Sequence, residues 1–537
     1  MEAVASFVAA VFLVARAWGA APGIQLRISQ GGLDYDHPRR LVNNTRTIPG
    51  KPGQVATALR ARAQNAFADI TYDVCLGGVR VVVQAGSPDT AGFMVRLTVP
   101  GLDYGRSVAV GILVQKLHGI SIPDQSGSSG KIHYTLSGMH ITDFTMPSTA
   151  LGFVPGSGLK FSFSGASVSL SGDWHYKALF VKDSGSFDMR MSGMSLSAVL
   201  VLSRDAAGRP SVSAGGCSSE VGDVDIKFHG GASWLYNLFK HLIEDNIRDH
   251  LKGQLCGQVT EAINSDLENS LQEIPITAKV DEFTEVDYSL LSPPDTRADM
   301  LDMPCKGEFY SLQHHSEFPV PAPPMDLGTS ADRMLYFGLS EFLFNSAGYA
   351  YQASGALTYI ITEAMLPKDA PFHLNTSSLA SIAVKLKNFP GLPVEVRVES
   401  SAAPTLSISA GNVTLHTQAL ATFSALWPNG TRSFLFSINA SASLAARLEI
   451  DADKLHGTLA LDSLVLTLVK SDVGDVHINL LQSIIKFIAK TIILPKVNER
   501  LSQGIPMPLL KKVKIVNAVL LNKEGFTVVG MDLRYSP

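Results

Sequence analysis

Residues 235–271 read LYNLFKHLIEDNIRDHLKGQLCGQVTEAINSDLENSL. Leu235, Phe239, Ile243, Ile247, Leu251, Leu255, Val259, Ile263, Leu267 and Leu271 recur at every fourth position. On a 3.6-residue period this is the apolar stripe of one long amphipathic helix. Each four-residue step overshoots a full turn by about 40°, so the stripe winds around the helix. Such a helix is expected to curve, or to be wrapped by a curved sheet.

Upstream of it the period is two. Ile132, Tyr134 and Leu136 alternate with polar residues, as do Leu159, Phe161 and Phe163, then Val168 and Leu170. Phe187, Met189 and Met191 continue the pattern, followed by Leu196, Leu200 and Leu202. Alternation of this kind predicts antiparallel strands with one buried face, and Gly/Ser clusters between the runs mark the turns. Downstream, Pro293-Pro294, Pro304 and the prolines of 319–324 predict an extended linker.

After the linker the plan repeats. Strand-like alternation returns at Leu406 and Ile408, Val413 and Leu415, and Leu459 and Leu461. A second amphipathic helix is expected over 480–501, with Leu481, Ile484, Ile485, Ile488 and Ile492 on one face. Strands recur at 513–521 and 526–533. Each half is a strand-rich segment plus a long helix, without visible sequence identity between the halves. A helix packed along a strongly twisted sheet can enclose a long apolar cavity.

The bulk numbers agree with two large domains. The chain has 537 residues, of which 46% are hydrophobic and only 17% charged, so it can bury extensive cores. Its 44 Lys/Arg stand against 48 Asp/Glu, a formal net charge of −4. That argues against generic nucleic-acid binding or adhesion of the whole surface to anionic membranes.

The N-terminus reads as a signal peptide over 1–20. An apolar run covers 4–14, and Ala17-Trp18-Gly19-Ala20-Ala21 supplies small residues for cleavage, although Glu2 stands where a positive charge is usual. The run is too short for a bilayer span, which needs about 20 residues. Secretion fits the sequons at Asn43, Asn375, Asn412, Asn429 and Asn439, all candidates for glycosylation. There are 4 cysteines and no C-x-x-C pair, which excludes a zinc ribbon or small disulfide scaffold. In an oxidising compartment Cys217 and Cys256 are able to pair, which leaves Cys75 and Cys305.

No catalytic constellation is apparent. There is no G-x-S-x-G elbow and no H-E-x-x-H, and His314-His315-Ser316-Glu317 has the wrong spacing for a zinc helix. Gly127-Ser128-Ser129-Gly130-Lys131 lacks the first glycine and closing Ser/Thr of a phosphate loop, and reads as a turn. No enzymatic activity and no metal are expected.

Several stretches, taken in order, resemble the bactericidal/permeability-increasing and lipopolysaccharide-binding family. Cys217-Ser218-Ser219, with Cys256 on the helix, is similar in placement to that family's single disulfide. Lys306-Gly307-Glu308-Phe309-Tyr310 and the prolines after it resemble its interdomain segment. Asp332-Arg333-Met334-Leu335-Tyr336-Phe337-Gly338-Leu339-Ser340 and Phe344-Asn345-Ser346-Ala347-Gly348 resemble the opening of its second domain. Leu494-Pro495-Lys496-Val497-Asn498-Glu499-Arg500-Leu501 and Gly504-Ile505-Pro506-Met507-Pro508 resemble its C-terminal helix exit.

The resemblance implies an α+β fold: an elongated boomerang of two barrels, each a highly twisted antiparallel sheet with long helices, joined by a central sheet. It divides the chain into a signal peptide (1–20), a duplicated first strand with an insertion (21–92), an N-terminal lipid-binding barrel (93–292), a Pro-rich linker (293–328) and a C-terminal lipid-binding barrel (329–537). It implies a secreted innate-immune, antibacterial protein that binds lipopolysaccharide and phospholipid. Its partner surface would be the Gram-negative outer membrane, with bound phospholipid and no other cofactor. Alternatives on the same residues are a phospholipid or sterol-ester transfer protein and, from another class, a lipid hydrolase.

Two departures from the family pattern bear on function. The family reads lipopolysaccharide with basic residues at the tip of the N-terminal barrel. Here 160–255 holds ten Lys/Arg and ten Asp/Glu. Lys177 falls where relatives often carry adjacent basic residues, but Ala178 breaks the pair. Lys182, Lys227, Lys240 and Arg248 are the further lipopolysaccharide-contact candidates. Second, IQLRISQGGLDY at 24–35 and MVRLTVPGLDY at 94–104 look like two copies of one first strand. Residues 36–92 then read as an inserted segment, and a large drop in melting temperature on deleting them would count against that reading.

Overall fold

The computed structural model describes residues 90–536, apart from 118–120, 123, 130–131, 179–180, most of 231–254, 258, 390, 452–453 and 509–512. It also describes the strands Ile24–Ile28, Thr71–Leu76 and Val79–Ala85.

The first half is built on an eight-stranded antiparallel sheet. Its long members are Ile132–Thr145, Gly158–Ala178 and Val181–Arg204, and Pro210–Glu220 lies at its edge. Apolar residues at alternate positions of these strands meet on one face. Leu136, Trp174, Phe187, Leu170, Met189 and Ile226 are all buried there. The ladder slips between Met191 and Leu196. Gly165 and Gly193 sit at this slip with φ of 69° and 68°, a conformation that favours glycine and lets the two neighbouring strands bend together.

The helix of 235–271 is described from residue 255 onward, with Glu244 and Arg248 as isolated upstream residues. Within it Ala262–Leu267 forms a π-turn before the α-turn Glu268–Gln272. The wider π-turn takes up part of the drift of a four-residue repeat, so here the stripe winds less than the spacing implies. Ile263, Leu267 and Leu271 are all buried.

Polar side chains of this helix close the sheet edge. Asn264 Oδ1 accepts from Ala214 N (2.8 Å), Glu268 accepts from Val212 N, and Gln272 Nε2 donates to Pro210 O (3.2 Å). The Cys217–Cys256 disulfide continues the same seam, with a Cα–Cα distance of 5.6 Å. From Cys256 to Gln272 the helix rises about 24 Å, and from Cys217 to Pro210 the strand runs about 23 Å. The two elements therefore stay in step along the seam. Backbone groups that an edge strand would leave open are satisfied by the helix.

The second half repeats the scheme. Thr358–Ile361, Val394–Ser409, Asn412–Leu426, Arg432–Asp451, Lys454–Ser471 and Ile505–Pro506 form a six-stranded sheet in chain order. The helical run Ile478–Leu501 lies along Lys454–Ser471 and also carries a π-turn, at Ala489–Ile493. Asn498 both accepts from Leu459 N (2.8 Å) and donates to Leu459 O (3.0 Å), and Gln482 donates to Leu464 O (2.8 Å). This run is long and apolar enough to cross a membrane by length and composition, and 22% of its apolar window is buried in the protein.

A central six-stranded sheet joins the halves. Its order runs Asp295–Thr296, Met300–Cys305, Phe93–Thr98, Leu335–Ser340, Phe526–Tyr535 and Val513–Lys523. The first strand of one half thus pairs directly with the first strand of the other, Leu97 opposite Leu335. Every residue of Phe93–Thr98, Met300–Cys305 and Leu335–Ser340 is buried. The span 293–328 is therefore more than an extended tether, since Met300–Cys305 and Glu308–Ser311 are buried strands within it. Pro304 fits because its carbonyl accepts from Leu291 N (2.9 Å) while its missing N–H is not required.

Of the two similar segments near the start, Phe93–Thr98 takes the place in the central sheet. Ile24–Ile28 pairs instead with Val79–Ala85, which pairs with Thr71–Leu76, in a separate three-stranded sheet.

Candidate functional site

Two features of the N-terminal half could hold a lipid: the apolar inner face of its sheet and the polar outer face at its far tip. The inner face carries Met139, Met189, Met191 and Met194 among Leu, Ile, Val and aromatic residues. Methionine is unbranched and polarizable, and adapts to irregular apolar partners. Phe228 packs edge-on to Trp174, with ring centroids 5.9 Å apart. The C-terminal half has a second apolar interior, where Phe423 and Phe436 stack at 4.3 Å against the face of Leu481, Ile485, Ile488 and Ile492. Leu480, on the same helix, is 53% exposed and Val497 is 38% exposed, so apolar surface there lacks protein cover.

The outer face at the tip is ordered by the ladder. Lys182 lies directly opposite Lys177, and His133 lies opposite Lys177 on its other side. All three are exposed. Directly opposed residues on neighbouring strands hold their Cβ atoms about 5 Å apart. The basic neighbour that Ala178 denies Lys177 along the chain is thus supplied across the ladder by Lys182. Two ammonium groups at this spacing are within reach of one phosphate.

The other candidates do not converge there. Lys227 pairs in register with Asp188, six residues from Lys182 and so about 20 Å along the strand. Asp188 also holds His229, with Nε2 2.9 Å from Oδ2. Arg248 donates its Nε to Gly222 O (3.0 Å), close to where Val224 pairs with Met191, about 30 Å from the tip. Lys240 lies outside the described residues, as does Asn43. Asn412, Asn429 and Asn439 are exposed and Asn375 is half-buried, with its Oδ1 accepting from Ser378 N (2.7 Å). Sequence reasoning missed His133 and His175; their signal was their polar phase in the period-two strands.

Features of the sequence that suggested other chemistry have structural explanations. Gln125–Ser129 forms a hairpin with the strand at 132, Ser129 opposite Ile132, and no helix follows to receive a phosphate. His315 stacks on Tyr310 at 4.0 Å. No cluster of three metal-ligating side chains occurs among the described residues. Cys305 is buried in the central sheet, and burial, then the nearby Asp287 charge, raises its thiol well above the ordinary range. Such a thiol is protonated and a poor nucleophile.

The joint between the halves is held by polar contacts. Tyr288 OH donates to Pro506 O (2.8 Å), and Tyr351 OH donates to Asp281 Oδ2 (2.9 Å). Burial is the main cause that pushes the Tyr351 phenol up to about 12, so it stays a neutral donor. Arg96, almost fully buried, makes a two-pronged pair with Asp302 at 2.6 and 2.7 Å.

Family models match both halves: the LBP / BPI / CETP family N-terminal domain over residues 101–292 and its C-terminal domain over 278–535. The chain belongs to the LBP / BPI / CETP family. Among relatives, it is 37% identical to the bactericidal permeability-increasing protein of Sebastes schlegelii over 452 residues, 83% of this chain and 95% of that one. It is 31% identical to the human lipopolysaccharide-binding protein, again over 83% of this chain and 94% of that one. A crystal structure of lipopolysaccharide binding protein aligns with a TM-score of 0.56 at 30% identity, covering 83% of this chain and 99% of that chain. The family models thus cover residues 101–535 of this chain, and the disulfide seam and central sheet are the joints of that part.

Proposed function

We propose that this chain is a secreted innate-immune lipid-binding protein that binds bacterial lipopolysaccharide and phospholipid and catalyses no reaction. The observation that carries this reading is the near-complete coverage of proteins named for lipopolysaccharide binding and bacterial killing. Acyl chains lie against the apolar inner faces, gaining about 0.8 kcal/mol per buried methylene. The methionines of the N-terminal face accommodate chains of different shape. The phosphorylated headgroup meets Lys177 and Lys182 at the tip, where charge-assisted hydrogen bonds fix it.

A second reading, a phospholipid or sterol-ester transfer protein, is favoured by one feature: among the described residues the cationic candidates are scattered, and two lysines pair at the tip. Binding of the purified chain to immobilised lipopolysaccharide across a salt series, with phosphatidylcholine vesicles alongside, separates the two. Selective binding that weakens with salt, and weakens several-fold in Lys177→Ala/Lys182→Ala, supports the first reading. Equal binding to both surfaces, indifferent to salt, supports the second.

A further inference from the structure

The outer face of the N-terminal sheet is unusually rich in histidine. His133 stands in the tip row with Lys177 and Lys182. His175 is two positions along the same strand from Lys177, in a row with Thr135 and Ser184. His229 pairs with Ser186 in the next row, and His140 with Ser171 in the row after that. Residues directly opposite each other share a face, and all four imidazoles are exposed on the face away from the apolar core.

The fixed charges around them nearly cancel. Exposed Lys160 and Glu220 offset each other further along the sheet. Among the described residues, the cations in the rows from His133 to Ser169 are Lys177, Lys182, Lys227 and Arg190. Against them stand Asp173, Asp188, Asp143 and Asp225 in the same rows. Two further carboxylates flank the face: Asp124, which accepts from Gly138 N (3.2 Å), and Asp183, opposite Tyr176. With neutral imidazoles the face is therefore slightly acidic, and four imidazolium charges reverse its sign. Histidine is the side chain whose charge ordinarily changes between pH 5 and 8. A phosphomonoester keeps at least one negative charge throughout that range.

We infer that this face is an acid-activated binding surface for the phosphorylated headgroup of lipopolysaccharide, with His133 and His175 completing the cationic tip that Lys177 and Lys182 begin. The inference rests on the lipopolysaccharide-binding reading and adds its regulation. The sign is direct: protonation on acidification adds positive charge, so affinity rises as pH falls through the histidine range. Each cation near an anionic lipid surface strengthens binding by roughly fivefold, so the pair is worth more than an order of magnitude.

The test uses the full purified chain on immobilised lipopolysaccharide at about pH 5.5 and about pH 7.5, with phosphatidylcholine vesicles as control. The wild type is expected to bind lipopolysaccharide at least tenfold more tightly at the lower pH. His133→Gln/His175→Gln is expected to lose most of that ratio. His133→Arg/His175→Arg is expected to bind at neutral pH as the wild type does in acid. Both positions are exposed, so neither pair of changes disturbs the core. A Gln pair with the wild-type pH ratio, or an Arg pair no better at neutral pH, overturns the inference. Equal wild-type affinity at both pH values also overturns it while leaving the lipopolysaccharide reading intact. Absence of binding at either pH in every variant removes that reading itself.

Discussion

At the scale of single residues, function and stability are carried by different carboxylates. Asp188 pairs with Lys227 and His229 on the outer face and so mutes cationic charge there. Asp532 acts in the central sheet. It takes Arg333 Nη1 at 2.8 Å, Asn517 Nδ2 at 3.1 Å and Met334 N at 3.4 Å. Partial burial raises its pKa, but the donors from Asn517, Arg333 and the backbone outweigh that and hold the carboxyl below the ordinary 3.8. A depressed carboxyl contributes stability above its unfolded pKa and loses it as pH falls through the folded value. Asp532→Asn should therefore lower the melting temperature at neutral pH, and the gap from wild type should close below about pH 3.8. Melting curves across pH check this; a gap that persists undiminished at low pH contradicts it.

Residue-level legibility was uneven for a physical reason. Lys177 is visible in sequence, but its partner Lys182 is set by the register of two strands, and a register slip of one residue would place it on the other face. Lys227 and Arg248 are basic candidates of the same kind, yet the register of one and the Gly222 bond of the other set them about 20 and 30 Å away. No local pattern encodes that divergence.

Elements were more legible. The period-two strands of both halves match elements of the fold, and so does the four-residue stripe of the first helix from residue 255 onward; its earlier part lies outside the described residues. What spacing alone did not show is the polar seam between each helix and the edge of its sheet. Asn264, Glu268 and Gln272 also follow a four-residue interval, but their partners are backbone groups of Pro210–Glu220. The π-turns were hidden too, because a four-residue repeat fits a widened turn as well as a winding stripe. In the second half one residue concentrates this role. Asn498→Ala removes both hydrogen bonds to Leu459 and strands two partly buried backbone groups, at a cost of about 1–3 kcal/mol. Denaturant midpoints should show that loss, with Asn498→Asp, which keeps the acceptor, falling between; an unchanged midpoint for Asn498→Ala would contradict the seam.

For the whole molecule, the segments that identified the family are mostly joints. Asp332 to Ser340 opens with Arg333 and Tyr336 bound to Asp532 and Asp332, then becomes a fully buried central strand. Lys306 to Tyr310 includes Gly307 at φ 58°, which meets Phe93 so closely that a Cβ would lie 2.6 Å from its backbone nitrogen. These constraints make the motif recognisable, and they hold the halves together. The apolar faces can be built from many aliphatic mixtures of similar volume, which is why no individual pocket residue could be read from sequence.

Lipid carried in these apolar interiors is what joins fold to function. Organic extraction and mass spectrometry of the purified chain, before and after incubation with phospholipid vesicles and lipopolysaccharide, tests it most directly. Phospholipid should be retained through purification, and lipopolysaccharide should be bound after incubation. A chain that emerges free of lipid and takes up neither would contradict it.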